Sequence, residues 1–328
     1  MKKVTVLLVA GLLMLLALTA CSDTATKDNP DGKLKIVVTI FPAYDWTKQI
    51  IGENNDEVEL TLILKNGVDI HSYQPTVDDI IKITTCDMLI YVGGESDKWI
   101  EDTLKQSENS DMIVINLLEA LGDNAKIEET VEGMELGHEY EADNNHDEAE
   151  LDEHVWLSLR NAQILSDTIS QSLAALLPDA AIKYASNAAD YIERLSKLDD
   201  EFAEMVSSAQ CDTLIFCDRF PFRYLVDDYN LNYFAAFNGC SAETEASFET
   251  VVFLSNKTDE LGLHSVIVLE TSDKSIAKTV ITNTKDKNAQ ILVLDSMQAI
   301  TSEDIENGAS YLSVMGENLD VIRQALDY

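Results

Sequence analysis

Hydrophobic runs of strand length alternate with amphipathic helical stretches along most of the chain. The first half contains the runs LKIVVTI, VELTLIL, DMLIYVG and DMIVINL, with helical patterns between them. The second half repeats the alternation with DTLIFC, LNYFAAF, SVIVLE and AQILVLD. Strands that alternate with helices are typical of parallel sheets covered by helices on their faces. The pattern therefore predicts an α/β fold with two lobes, at residues 33–178 and 208–328, each a mainly parallel sheet flanked by helices.

A stretch without Gly or Pro lies between the two predicted lobes, at residues 179–207. Its apolar side chains recur at helical spacing: Ala181, Tyr184, Ala188, Tyr191, Ile192, Leu195, Leu198, Phe202 and Met205. A helix rises about 1.5 Å per residue, so a single helix of this length would extend about 45 Å. We expect one long helix that joins the lobes; two helices with a break near Asp200 are the alternative.

The N-terminus carries the features of an export signal. Lys2 and Lys3 precede an apolar run that ends in the small-residue site LTAC. This predicts a signal peptide at residues 1–20. A site of this kind that ends in Cys is typical of bacterial lipoprotein signals, so we expect lipidation of Cys21 and a polar tether at residues 21–32. The protein is then extracytoplasmic and anchored to the cell membrane by lipid; an ordinary secretory signal with an incidental Cys is the alternative.

Composition narrows the classes of partner. The formal net charge of -36 argues against nucleic acid, whose phosphates would be repelled, and favours cations. Four cysteines follow the signal: Cys86, Cys211, Cys217 and Cys240. An extracytoplasmic setting permits disulfides, but spacing alone leaves their pairing open, and free buried thiols are the alternative.

An acidic segment at residues 123–153 interrupts the first predicted lobe. It contains thirteen Asp or Glu, one Lys, and the histidines His138 and His146. Because it shows no sustained hydrophobic period, we expect a mobile loop. Such a loop either collects divalent ions loosely or is a solvated insertion with no role.

Two histidines stand at the edges of predicted elements. His71, in GVDIHSYQPTVDDI, follows a strand-like run and precedes an amphipathic helix, and His154, in DEHVWLSLRNA, stands 83 residues downstream. In a chain with five His and many carboxylates, this placement predicts a metal site assembled from distant loops. His264, inside a strand-like run, is predicted to be structural. No H-E-x-x-H motif of a hydrolytic zinc enzyme occurs, so we do not expect an enzyme.

Four segments together resemble the zinc and manganese substrate-binding lipoproteins of ABC importers, the cluster A-I or cluster 9 solute-binding family. They are GVDIHSYQPTVDDIIKITTCDMLIYVGG, DEHVWLSLRNA, LVLDSM and YLSVMGENLDVIRQAL. The resemblance covers about residues 36–326. It implies a metal cleft between two α/β lobes joined by one long helix, and delivery of the ion to an ABC permease in the cytoplasmic membrane. We expect a monomeric receptor.

The resemblance also implies a set of ligands. His71 matches the first ligand, His154 the second, and Asp295 the last. Arg219 stands where the third ligand is expected, and a guanidinium offers no lone pair to a metal. We therefore predict Asp218, one residue earlier, as the third ligand. Other donors in the same half that remain open are Cys217, Cys240, Glu243 and Glu245, or a water molecule.

The predicted donors suit Zn²⁺ and also Mn²⁺. Neutral imidazole and carboxylate bind both ions, and the Irving–Williams order makes Zn²⁺ the tighter binder. The acidic segment with its histidines also favours zinc. We expect Zn²⁺ as the transported ligand. A manganese receptor of the same family, and a surface adhesin or receptor for another ligand on the same fold, are the alternatives.

Overall fold

Two parallel four-stranded sheets form the framework of the computed structural model, which describes residues 32–326 except 54, 108, 136–149 and 242–244. The chain from Leu34 onward forms one compact unit. Several features predicted from the sequence lie outside the described residues: the signal peptide at 1–20, the lipidation site Cys21, most of the tether, His138, His146 and Glu243.

The N-terminal lobe contains a sheet with the strand order β2-β1-β3-β4. Its strands are β1 (Leu34–Val38), β2 (Val58–Leu62), β3 (Met88–Tyr91) and β4 (Ile113–Asn116). The helices that follow them are α1 (Phe41–Ile51), α2 (Val77–Thr85), α3 (Lys98–Leu104) and α4 (Leu117–Leu121). All neighbouring strands pair in parallel, and every residue of β3 is buried, because helices cover both faces of the sheet.

Two long helices lie between the two sheets in the chain: α5 (Leu159–Leu176), at the end of the N-terminal lobe, and α6 (Ala181–Ser208), which leads to the C-terminal lobe. The 28 residues of α6 continue without a break past Asp200, so the prediction of one long helix is confirmed. Its buried side chains follow the predicted helical spacing: Tyr184, Ala188, Tyr191, Leu195, Leu198, Phe202 and Met205. None of the helices in the described part of the chain is both long and apolar enough to cross a membrane.

The C-terminal lobe repeats the arrangement with the strand order β6-β5-β7-β8. Its strands are β5 (Thr213–Phe220), β6 (Asn232–Asn238), β7 (Ser265–Leu269) and β8 (Gln290–Leu294). Its helices are α7 (Arg223–Asp228), α8 (Phe248–Leu261), α9 (Ser275–Asn283), α10 (Ser302–Glu306) and α11 (Tyr311–Ala325). The register between β5 and β6 shifts between Phe216 and Arg219. A shift of this kind changes the direction in which the following side chains point.

Helix α11 returns to the N-terminal lobe. The ring of Tyr311 packs edge-on against Trp46 of α1, with 5.2 Å between the ring centres. The Tyr311 hydroxyl donates a hydrogen bond to the carbonyl of Trp156 at 2.7 Å, and its backbone N–H donates to Asp45 Oδ2 at 3.0 Å. The last helix therefore binds the end of the chain to the first lobe.

The two ends of the acidic segment are ordered. Ile127 and Leu151 form an antiparallel bridge, and the N–H of Glu135 donates to the carbonyl of Ala236 in β6 at 2.9 Å. The expectation of a mobile loop is therefore wrong for these ends, because backbone hydrogen bonds hold them to each other and to the C-terminal lobe. The central part, residues 136–149, lies outside the described residues.

Candidate metal centre

His71 lies at the edge of the N-terminal sheet where the strands end, in a single 3₁₀ turn at Ile70–Ser72. Asp69 Oδ1 accepts a hydrogen bond from the N–H of His71 at 3.0 Å and so caps the turn. His71 Nδ1 is 2.7 Å from Ser96 Oγ, and the N–H of Ser96 donates to Glu153 Oε1 at 2.9 Å. These contacts occupy Nδ1 and leave Nε2 as the ring atom that faces a ligand.

His154 is fully buried and directly precedes a second 3₁₀ turn, Val155–Leu157. Asp152 Oδ1 accepts a hydrogen bond from the N–H of His154 at 2.8 Å and lies 3.0 Å from its Nδ1. A carboxylate on one ring nitrogen holds the proton there and leaves a lone pair on the other. His154 therefore presents Nε2 as a donor atom.

The Nε2 atoms of His71 and His154 face each other at 3.1 Å. One of the two must carry a proton for this contact to be a hydrogen bond, because two lone pairs at this distance would repel. Two nitrogen ligands of a tetrahedral Zn²⁺, each about 2.0–2.1 Å from the metal, would lie about 3.3 Å apart. The observed separation is therefore close to the one that a shared metal ion requires.

The pKa values of the two imidazoles diverge. Burial and the nearby charge of His154 together lower the pKa of His71 to about 3. Burial also acts to lower the pKa of His154, but the Asp152 carboxylate outweighs it and raises that pKa above the ordinary value. The pair therefore does not carry two positive charges near neutral pH, and His71 is a neutral donor.

Buried carboxylates surround the two rings. Glu153 Oε2 lies 3.7 Å from His71 Nδ1, is buried, and has no hydrogen-bond partner among the described residues. Burial raises the pKa of Glu153, and burial together with the charge of Asp152 raises the pKa of Glu128. A divalent cation at the two imidazoles would neutralise the negative charge of these buried carboxylates. The residues of the site therefore fit a metal ion.

The C-terminal lobe adds a cysteine to the two imidazoles. Within the described part of the chain, His71, His154 and Cys240 form a group whose ligand atoms all lie within 4.8 Å of one another. Gly239 allows this approach, since a Cβ there would lie 2.8 Å from His154 Cε1 and 3.0 Å from the carbonyl oxygen of Phe220. Cys217 and Cys240 are free thiols.

Asp218 and Arg219 lie at the end of β5 and are not part of this group. Asp218 Oδ1 accepts from the N–H of Arg219 at 2.8 Å, and its Oδ2 accepts from the N–H of Leu269 at 3.4 Å. The guanidinium of Arg219 reaches the other lobe, where its Nη2 donates to Asp69 Oδ2 at 2.6 Å. Arg219 therefore places a positive charge beside His71.

Asp295 follows β8 and also lies outside the group of three. Its Oδ1 accepts from the N–H of Met297 at 2.7 Å, and its own N–H donates to Asn318 Oδ1 at 2.9 Å. Burial and the negative charge of Glu270 raise the pKa of Asp295 to about 7. Among the described residues, the structure thus groups His71 with His154 but includes neither Asp218 nor Asp295 in that group, and all four ligand roles stay predictions.

The residues that orient the imidazoles were missed by the sequence reasoning. A signal for two of them is nevertheless present, since Asp69 precedes His71 by two residues and Asp152 precedes His154 by two. In both cases the carboxylate accepts the N–H of the histidine. The repeated D-x-H spacing is a local turn signal. Ser96 has no comparable signal, because only the fold brings it to His71.

These features define the class as a two-lobed α/β binding protein with a candidate cation site built from residues of both lobes. Residues 36–325 match the family described as zinc-uptake complex component A, periplasmic, or ZnuA. The chain belongs to this family. The predicted family and the predicted two-lobed α/β fold are thereby confirmed.

The chain is similar to several characterised proteins. It is 31% identical over 331 residues to the zinc-binding lipoprotein AdcA of Streptococcus pneumoniae, in an alignment that covers 100% of this chain and 62% of AdcA. The chain thus spans about three fifths of the length of that relative. It is 27% identical over 315 residues to the high-affinity zinc uptake system protein ZnuA of Bacillus subtilis, covering 95% and 94% of the two chains. The solved structure of the Zn(II)-bound ZnuA-like domain of Streptococcus pneumoniae AdcA has a TM-score of 0.69 at 29% identity, covering 90% of this chain and 100% of that one.

Proposed function

We propose that this protein is an extracytoplasmic receptor that binds Zn²⁺ at His71 and His154 and delivers it to an ABC permease in the cytoplasmic membrane. The observation that carries the proposal is the 3.1 Å separation of the two Nε2 atoms. Each belongs to a ring whose Nδ1 already has a partner, Ser96 or Asp152. Imidazoles oriented in this way by hydrogen bonds are the usual arrangement at metal sites in proteins.

Zinc is the cation that the donors favour. Imidazole nitrogen suits Zn²⁺, and the Irving–Williams order places Zn²⁺ above Mn²⁺ at a given site of this kind. The names of the relatives agree, since AdcA is a zinc-binding lipoprotein and ZnuA a zinc uptake protein. The buried carboxylates around the rings add a field that attracts any divalent cation, so they contribute affinity rather than choice of metal.

The membrane partner and the lipid anchor are parts of the same proposal. The family is described as a periplasmic component of a zinc-uptake complex, which supports a permease as partner. The lipoprotein name of AdcA supports an anchor at Cys21, at the end of the signal-like LTAC site. A receptor held at the membrane surface would release its ion close to the permease.

A histidine variant tests the binding site. We expect His71→Ala to lower zinc affinity by more than about 100-fold, because one of two oriented nitrogen donors is lost. Affinity is measured by competition with a chelator of known strength, with Mn²⁺ titrated in parallel. Zinc at about 100 times its Kd should also stabilise the parent protein by about 2.7 kcal/mol, an effect that the variant should lack.

The matched control is His264→Ala, because His264 is exposed and lies outside the donor group. It should retain parental zinc affinity. Unchanged zinc affinity in His71→Ala would remove the basis for the proposed site.

A further inference from the structure

We propose that Cys240, as a thiolate, is the ligand that the C-terminal lobe contributes to the metal. The site would then combine two imidazoles and one sulfur, where the sequence predicted two imidazoles and two carboxylates. This inference rests on the proposed function, since it names a further donor of the same site.

The positions of the donor atoms support Cys240 directly. Its Sγ and the donor nitrogens of His71 and His154 all lie within 4.8 Å of one another. In a tetrahedral zinc site, with Zn–S of about 2.3 Å and Zn–N of about 2.0–2.1 Å, sulfur and nitrogen ligands lie about 3.6 Å apart. A movement of roughly 1 Å at most therefore completes the arrangement.

The backbone around Cys240 holds it against the N-terminal lobe. The N–H of Cys240 donates to Glu128 Oε1 at 3.3 Å, so the ordered end of the acidic segment anchors the residue. The preceding Gly239 lies so close to the His154 ring that a side chain there would collide with Cε1 at 2.8 Å. The chain after β6 therefore approaches His154 closely enough to present the sulfur.

Two other candidate positions of the C-terminal lobe, Asp218 and Arg219, are already engaged in hydrogen bonds. Both carboxylate oxygens of Asp218 accept backbone N–H groups inside the lobe. Arg219, at the place where the resemblance implies a ligand, is bonded to Asp69 and has no lone pair to offer. Cys240 is the C-terminal donor that the structure groups with both imidazoles among the residues described.

A sulfur ligand has a consequence for the choice of metal. When the Zn–S bond forms, the thiol loses its proton, and the Glu128 carboxylate, which hydrogen bonds to the Cys240 side chain as well as to its backbone N–H, is placed to accept it. Thiolate is a soft donor that favours Zn²⁺, whereas Mn²⁺ prefers carboxylate and water oxygen. Cys240 would therefore raise the preference for Zn²⁺ over Mn²⁺ beyond that of a site with oxygen donors.

The experiment uses the full chain, Cys240→Ser, and the control Cys211→Ser, which makes the same change at another partly buried cysteine of the lobe. Co²⁺ replaces Zn²⁺ as a spectroscopic probe, because a cobalt–thiolate bond gives a charge-transfer band in the near ultraviolet. We expect the band in the parent and in Cys211→Ser and its loss in Cys240→Ser. Zinc affinity of Cys240→Ser should fall by about 100-fold and manganese affinity by less than about threefold.

The measurements distinguish a wrong role for Cys240 from a wrong receptor function. A parent protein that binds Co²⁺ without the charge-transfer band overturns the role of Cys240 whatever the variants do. A Cys240→Ser variant with an unchanged ratio of zinc to manganese affinity overturns it too. In either case the receptor function stands if His71→Ala still loses zinc, whereas a parent that binds neither metal contradicts both proposals.

Discussion

The two lobes place different chemistry at equivalent strand ends. In the N-terminal sheet β2 leads to His71, and in the C-terminal sheet the equivalent strand β6 leads to Cys240. The Nδ1 of His71 is paired with Ser96 and that of His154 with Asp152. Cys240 is held instead through its backbone N–H. His71 and Cys240 thus follow the carboxyl ends of parallel strands, where ligands bind in open α/β sheets.

The difference shows that a side chain becomes a metal donor only when its hydrogen bonds orient it and leave a ligand atom available. Asp218 and Asp295 are carboxylates at strand ends, yet backbone N–H groups occupy oxygen atoms of both. The imidazoles turn their Nε2 atoms toward each other because Ser96 and Asp152 occupy their other nitrogens. Groups that are already oriented lose less entropy when a ligand binds. The N-terminal lobe is therefore the more preorganised half of the metal site.

Among the residues that orient the donors, Asp152 gives the largest expected effect, through its hydrogen bond to His154. We expect Asp152→Asn to lower zinc affinity by about 10–100-fold, or about 1.4–2.7 kcal/mol, because the neutral amide supports the imidazole less strongly. The control is Asp167→Asn, an exposed carboxylate on α5. The measurement is the same chelator competition. Equal zinc affinity in the two variants would show that Asp152 does not preorganise His154 for metal binding.

A second prediction concerns the loop that carries Ser96. Asp97 Oδ2 accepts from the N–H groups of Val92 and Gly93 at 2.8 and 3.3 Å, and burial raises its pKa to about 7. The folded protein therefore keeps a proton that the unfolded chain, with an Asp pKa near 3.9, has lost. Consequently the stability that Asp97 contributes falls as pH rises from about 4 to 7.

Asp97→Asn removes this titration. Between pH 5 and pH 6 the parent should lose about 1 kcal/mol of unfolding free energy that the variant does not lose. Urea denaturation at the two pH values measures the difference. Asp102→Asn is the control, because Asp102 is exposed on helix α3, which begins directly after Asp97, and its pKa is lowered by Lys105. Parallel pH profiles for the parent and Asp97→Asn would contradict the prediction.

The smallest expected effect concerns Asp218. If Cys240 is the ligand of the C-terminal lobe, Asp218→Asn should change zinc affinity by less than about threefold, or roughly 0.6 kcal/mol. It should reduce stability by about 1 kcal/mol, because the variant weakens the hydrogen bond from the N–H of Leu269. Calorimetry and zinc competition on one sample measure both quantities. A loss of affinity of tenfold or more would favour Asp218 as the ligand and count against Cys240.

Much of the fold was predictable because its signals are local. Strand-length hydrophobic runs and helical periodicity depend on residues that are neighbours in the chain, so the two sets of four strands could be located. The unbroken α6 follows from its apolar spacing and from the lack of Gly and Pro. The return of α11 to the N-terminal lobe through Tyr311 and Trp46 had no such signal, because it depends on packing between segments far apart in the chain.

For the site, the sequence by itself determined the two histidines, each at the edge of an element and each preceded by an Asp two positions earlier. Only the tertiary structure decided which groups meet them. The register shift in β5 changes the positions of Asp218 and Arg219, and Arg219 pairs with Asp69 in the other lobe. Cys240 joins the imidazoles because the segments that follow β2 and β6, in two different sheets, meet where the two lobes pack together. Distances of this kind depend on packing across the whole molecule, which no local pattern specifies.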